Sequence, residues 1–129
     1  MDVELLYQGT ERAVYVYGGC SDFVKWAKKL KRPPEADLLR AIHLVADRPF
    51  TDLIHRKYLW KAMSGSKPKL YAIRSDQARI YCCLRKGDIV MLDWVQKKQQ
   101  RAPKNALRRA EQRATEVLSD EQRSKKMDG

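Results

Sequence analysis

Between residues 69 and 95, three runs of strand-forming residues follow one another with very little between them: KLYAIRS (69–75), ARIYCCLRK (78–86) and IVMLDWV (89–95). Each is rich in the β-branched, aromatic and aliphatic residues that suit a pleated, half-buried surface. A short polar turn separates the first two, and Gly87-Asp88 leads into the third. Connections this short join antiparallel neighbours, because parallel strands need a crossover of a dozen or more residues. The segment therefore reads as an antiparallel meander. Its last strand, apolar at nearly every position, reads as central, since a central strand is covered more fully than an edge.

The other elements fit around this meander. RAVYVYG (12–18) reads as a strand closed by Gly18-Gly19. SDFVKWAKKLKR follows, with Ser21 or Asp22 as cap and Phe23, Trp26, Ala27 and Leu30 at helical spacing. PEADLLRAIHLVADRP is a second amphipathic helix, with Pro34 near its first turn and Leu38, Ile42 and Val45 as its core stripe. His43 flanks that stripe. Residues 51–68 read as a short helix from Asp52 and a loop through Gly65 and Pro68. A helix from about Pro103 carries Ala106, Ala110, Ala114 and Val117 on one narrow face, and a frayed tail is expected over about 120–129. The predicted fold is α+β, a single domain over residues 1–129 in the order β-α-α-β-β-β-α. Its C-terminal meander packs on two N-terminal helices and leaves the other sheet face open.

A chain of 129 residues can bury one sizeable core. No apolar run approaches membrane-spanning length. The opening MDVELLYQG lacks a signal-peptide pattern, so the expected location is cytoplasmic. The three cysteines, with no CxxC pair, read as reduced thiols without a metal role. The net charge of +11 is unevenly placed. Residues 1–55 are neutral, residues 56–109 hold fifteen Lys/Arg against Asp76, Asp88 and Asp93, and residues 110–129 carry −1. Concentrating the excess on one segment points to a polyanionic partner, with nucleic acid ahead of anionic lipid.

Strand alternation distributes those charges. In ARIYCCLRK, Ile80, Cys82 and Leu84 share the core face, opposite Arg79, Tyr81, Cys83 and Arg85. In IVMLDWVQKK, Val90, Leu92, Trp94, Gln96 and Lys98 share a face. The open face is thus expected to collect Arg74, Arg79, Tyr81, Trp94 and Lys98, an RNA-like surface of guanidinium forks and stacking rings. Arg85, Lys97, Arg101 and Lys104 are further candidate RNA contacts.

The stretch KLYAIRSDQARIYCCLRKGDIVMLDWVQKKQQRAPKNALRRAEQRA resembles the RelE/HigB toxin superfamily, in particular its phage-derived HigB-like branch. The resemblance covers about residues 69–115. It rests on an aromatic-x-x-Arg strand, a turn, a strand opening x-Arg-aliphatic-aromatic and an aliphatic strand. A Lys-Lys-Gln-x-x-x-Pro element before a basic helix completes it. It implies a small α/β toxin of a toxin–antitoxin pair. Such a toxin is an mRNA endoribonuclease acting in the ribosomal A site and held inactive by its cognate antitoxin, expected here to be a helix-turn-helix protein. By this resemblance Arg74 closes the second family strand and Arg79 is the phosphate-contacting arginine opening the third. Lys97 and Lys98 are the basic pair ending the last. The chain departs from some members in having Leu70 and Ala72 where they carry lysines. Others use a histidine ahead of that strand, the region in which His55 lies.

Asp76, Asp88 and Asp93 are too few carboxylates between residues 56 and 109 for a two-metal nuclease, so no cofactor or metal is expected. Metal-independent cleavage uses the RNA 2′-OH as nucleophile and leaves a 2′,3′-cyclic phosphate. It requires proton removal, protonation of the leaving 5′-oxygen and neutralisation of the crowded phosphate. Arg79 is the candidate for neutralisation, with Arg74 in support. Lys97 or Lys98 is the candidate proton carrier, and His55 the alternative, histidine being the side chain that titrates near neutrality. Tyr81 or Trp94 would stack a base. Two other readings stand beside this one: a RelE/ParE-fold protein that binds a protein target such as gyrase, and a non-catalytic nucleic-acid-binding domain.

Overall fold

The structure, a computed structural model, describes residues 3–30, 34–76, 78–97 and 103–128, and for residues 34–36 and 120–128 the backbone course alone. In chain order the elements are strands β1 (Val3–Gln8) and β2 (Ala13–Tyr17), then helices α1 (Cys20–Lys28), α2 (Pro34–Asp47) and α3 (Phe50–Leu53). Strands β3 (Trp60–Ala62), β4 (Tyr71–Arg74), β5 (Ala78–Arg85) and β6 (Asp88–Gln96) follow, and helix α4 (Lys104–Asp128) closes the series. The predicted meander is β4-β5-β6. Between β5 and β6, Lys86 and Gly87 both take positive φ, 53° and 84°. Two central residues with positive φ make the tight hairpin turn whose twist matches the strands it joins.

Among the described residues the sheet has six strands in the order β1-β2-β6-β5-β4-β3, so β6 is central as expected. Only β2 and β6 run parallel among the described residues, with Val14 beside Ile89 and Val16 beside Met91. Strands β1 and β3 were not anticipated. The β1–β2 hairpin is bolted to the end of α2. The Thr10 amide donates to Asp47 Oδ1 at 2.8 Å, and the Tyr7 hydroxyl donates to the same carboxylate at 3.0 Å. Gly9 lies so close to α2 that an added Cβ would stand 2.4 Å from the Ala46 carbonyl oxygen. The last turn of α2 holds no basic residue. The buried Arg12 guanidinium serves there instead, donating to the Val45 and Arg48 carbonyls and lying 3.7 Å over the Phe50 ring. His43 stacks on Tyr7 with ring centroids 4.1 Å apart.

Both faces of the sheet are covered. On one, Phe23 and Ala27 of α1 and Leu38, Ile42 and Val45 of α2 pack against Val14, Val16, Ile73, Ile80, Cys82, Ile89 and Met91. Of the stripes predicted for α1 and α2, Phe23, Ala27, Leu30, Leu38, Ile42 and Val45 are buried there and Trp26 is partly buried, although Gly19 precedes α1 and neither Ser21 nor Asp22 caps it. On the other face, Ala106, Ala110, Ala114 and Val117 of α4 lie on Leu70, Ala72, Tyr81, Cys83, Val90 and Leu92. The small side chains let α4 approach closely and exclude water. The open face expected from the sequence is therefore the bed of α4.

One irregularity re-aims β6. Tyr81 pairs with Asp93 and Cys82 with Met91, leaving Leu92 as an extra residue. Such a bulge breaks the alternation of side chains. Leu92 and Asp93 both turn toward α4, and Trp94 goes to the α1 side, 5.2 Å from Phe23 and 6.4 Å from Trp26 by ring centroids. Asp93 is the anchor of α4: its carboxylate accepts from Arg109 Nε at 3.0 Å and stands 3.7 Å from Arg113 Nη1. Arg113 also donates to the Leu92 carbonyl at 2.5 Å. Among the described residues no helix is long and apolar enough to cross a membrane.

Candidate nucleic-acid interface

The site forms where β4 ends, β5 begins and β6 runs out. Arg74 and Arg79 stand directly opposite each other across the β4–β5 ladder. Facing like charges repel and ordinarily destabilise a sheet. Here each guanidinium is steadied by backbone carbonyls. Arg79 Nη1 donates to Ser75 O at 2.5 Å and Ala78 O at 2.8 Å, closing its own turn. Arg74 Nη1 donates to Lys57 O at 2.9 Å. An arginine carries five N–H donors, so each keeps donors for a ligand. Burial, and then the nearby charge of Arg74, lower the pKa of Arg79. A guanidinium starts so high that Arg79 stays charged at neutral pH, with part of its hydration removed and its pull on an anion strengthened.

These arginines line a cleft of about 570 Å³ between the end of the sheet and α2. Arg40, Lys57 and Lys97 join them, making five cations against two acids, Asp37 and Asp76. Ala41, Leu44 and Leu59 give it an apolar wall, and Tyr58 is the aromatic residue of the lining. The Ser75 hydroxyl oxygen, in the same lining, is buried with no hydrogen-bond partner among the described residues. The arrangement suits a phosphate diester with an attached base: a dense cationic patch, a partly desolvated arginine and apolar surface beside them. Among the described residues no group of three or more His, Cys, Asp or Glu side chains is placed to hold a metal ion.

Of the residues predicted from the sequence, the fold brings Arg74, Arg79 and Lys97 together. Lys98 and Arg101 lie outside the described residues. His55 is exposed just after α3 and does not line the cleft. Two expectations are corrected. Tyr81, 1% exposed beneath α4, has no ring face to offer a base; burial raises the pKa of its hydroxyl, which has no hydrogen-bond partner among the described residues. Trp94 belongs to the α1 core because the bulge at Leu92 inverts its side. Arg85 is at the far end of β5, 5.8 Å from the Tyr15 ring, and Lys104 is exposed at the start of α4, so neither lines the cleft. The sequence reading missed Arg40, Lys57 and Tyr58. The signal for two of them was present in HRKYLW (55–60), where an aromatic residue stands directly behind three basic or titratable ones.

Residues 25–115 match the family described as phage derived protein Gp49-like (DUF891). No curated protein and no solved structure gives a match.

Proposed function

Because the chain belongs to the Gp49-like family, which is linked to toxin–antitoxin proteins of the RelE type, we propose that it is the toxin of such a pair and cleaves mRNA. In this reading the reaction is metal-independent attack by the RNA 2′-OH on the adjacent phosphate, on the ribosome. A cognate helix-turn-helix antitoxin restrains it, as in the HigB-like branch. The observation that carries the reading is the pairing of Arg74 with Arg79 inside a cleft that also gathers Arg40, Lys57 and Lys97. Phosphoryl transfer of this kind asks for neutralisation of a crowded phosphate whose single negative charge rises toward two in the transition state, more than for any other single contribution. Arg79, partly desolvated and fixed by two carbonyls, is the neutralising group, and Arg74 supports it. Lys97 is the proton carrier that the cleft supplies, with His55 at a distance and Lys98 following directly in sequence.

The test is cleavage of an mRNA by the purified chain in the presence of translating ribosomes, with chemical mapping of the fragment ends. The reading expects a 2′,3′-cyclic phosphate upstream, a 5′-hydroxyl downstream and no cleavage by Arg79→Ala. Fragments ending in 5′-phosphate would overturn the 2′-OH mechanism. Intact mRNA at a chain concentration that arrests growth would overturn the nuclease reading in favour of a protein target.

A further inference from the structure

Tyr58 is 69% exposed, the most exposed large hydrophobic side chain among the described residues. An aromatic side chain left in water is normally free to swing. Here the hydroxyl is hydrogen-bonded and the backbone on both sides is tethered. Its hydroxyl accepts a hydrogen bond from Arg56 Nη1 at 3.0 Å, and Arg56 Nε donates in turn to Asp52 at 2.8 Å. The carbonyls on either side of it are both tied to Arg74: Lys57 O accepts from Arg74 Nη1 at 2.9 Å, and Leu59 O accepts from the Arg74 amide at 2.8 Å. The ring is therefore placed at the cleft beside a cation of the proposed phosphate site, with its surface unused by the protein's own core.

We propose that Tyr58 is the stacking platform for an unpaired RNA base, the one attached to the nucleotide whose phosphate Arg74 and Arg79 receive. This deepens the ribonuclease reading and rests on it. Base–aromatic stacking tolerates every base, since each has a π-face, and its value is greatest when the ring is fixed before the ligand arrives. The clamp through Arg56 and Asp52 supplies that fixation. The role is substrate positioning: the ring holds the nucleotide splayed so that its 2′-OH lines up with the phosphate, and the phenol takes no part in proton transfer. Tyr58 takes the place that the sequence reading gave to Tyr81 and Trp94, which the fold withdraws into its two cores.

The test compares binding of the full chain to a short single-stranded RNA and to an abasic ribose–phosphate strand of the same length. Wild type is expected to prefer the base-bearing strand by roughly 5- to 150-fold, the range that stacking on one aromatic ring gives. Tyr58→Phe, which keeps the ring and gives up the hydrogen bond from Arg56, retains part of that preference. Tyr58→Ala loses it while retaining the salt dependence of binding to the abasic strand. Equal affinity of wild type for the two strands, or a preference that survives Tyr58→Ala, overturns the stacking role and leaves the cationic site intact. A preference lost equally in Tyr58→Phe assigns the effect to the hydroxyl and also overturns it. Failure of wild type to bind either strand removes the cationic phosphate site on which this proposal rests, and the proposal with it, while the ribonuclease reading is decided by the ribosome cleavage assay.

Discussion

Asp93 of β6 and Arg109 of α4 meet at 3.0 Å, and the carboxylate is nearly buried while the guanidinium stays half in water. Removing the carboxylate leaves Arg109 and Arg113 able to rehydrate but strips α4 of its polar anchor. Asp93→Ala is expected to cost roughly 1–3 kcal/mol, the range for losing a hydrogen-bonded charged group at a partly buried site. Urea unfolding of the two proteins measures this. A difference below about 0.5 kcal/mol, the usual scale of a surface substitution, would mean that the alanine face alone holds the helix.

That alanine face is itself testable. Ala110 and Ala114 are fully buried against the sheet. Ala114→Leu adds apolar surface, yet the larger side chain has to push α4 off its bed. It should destabilise by about 1–3 kcal/mol, as overpacking a filled core does. A thermal midpoint equal to or above wild type would show a cavity under α4 and refute the close packing.

In the cleft, Lys97 and Lys104 should behave differently. Lys97 lines the site and Lys104 does not. Lys97→Ala is expected to lower cleavage by about 10²-fold or more if it transfers a proton, with Lys104→Ala within a few-fold of wild type. The reverse ranking would move the reaction site toward the start of α4. The bulge at Leu92 breaks the side-chain alternation by which the sequence placed Lys98 on the face of Val90 and Leu92.

Binding of single-stranded RNA should weaken steeply with salt, by well over tenfold between about 50 and 200 mM, as bound counterions are released. Arg40→Ala and Lys57→Ala should each reduce the salt slope by about 1. An unchanged slope in both variants would place the phosphates outside this cleft.

The β1–β2 hairpin predicts an acid-sensitive contact. The Thr10 amide, helped by the Tyr7 hydroxyl, holds the Asp47 carboxyl below its ordinary pKa. A carboxyl whose folded pKa is depressed stabilises the protein above its unfolded-state pKa of about 4, and that contribution disappears as pH falls through the folded value. The stability gap between wild type and Asp47→Ala should therefore be widest near about pH 7 and should close on acidification toward about pH 2.5. A gap that stays constant over this range would show that the carboxylate charge is irrelevant to the hairpin.

The helices were legible because their apolar residues recur at helical spacing and are buried where that spacing put them: Phe23 and Ala27, Leu38 and Ile42, Ala106 and Ala110. The meander was legible from its turns. Strand β1 was not, because VELLYQ is half exposed and its pairing is irregular at Leu6, so no clean alternation marks it. Strand β3 is only three residues long. The bulge in β6 was invisible for another reason. In a strand apolar on both sides, an extra residue leaves the hydrophobic pattern unchanged, so Trp94 was assigned to the wrong side. At the site, Arg74, Arg79 and Lys97 could be read from their places at strand ends. Arg40 and Tyr58 reach the cleft only through folding, and Arg109, counted with the surface charge, is engaged with the buried Asp93.

Arg74 belongs at once to the cationic cleft and to the outermost ladder, since its amide donates to the carbonyl just before β3. Three-residue strands at a sheet edge open locally at little free-energy cost. Each such opening would release Leu59 and let the segment from Lys57 to Leu59 drift from the arginine. The population of the ligand-ready cleft is thus tied to the fraying of β3. A ligand spanning Arg74 and Tyr58 would close that edge by mass action, and the amide of Arg74 would report it as slowed hydrogen exchange.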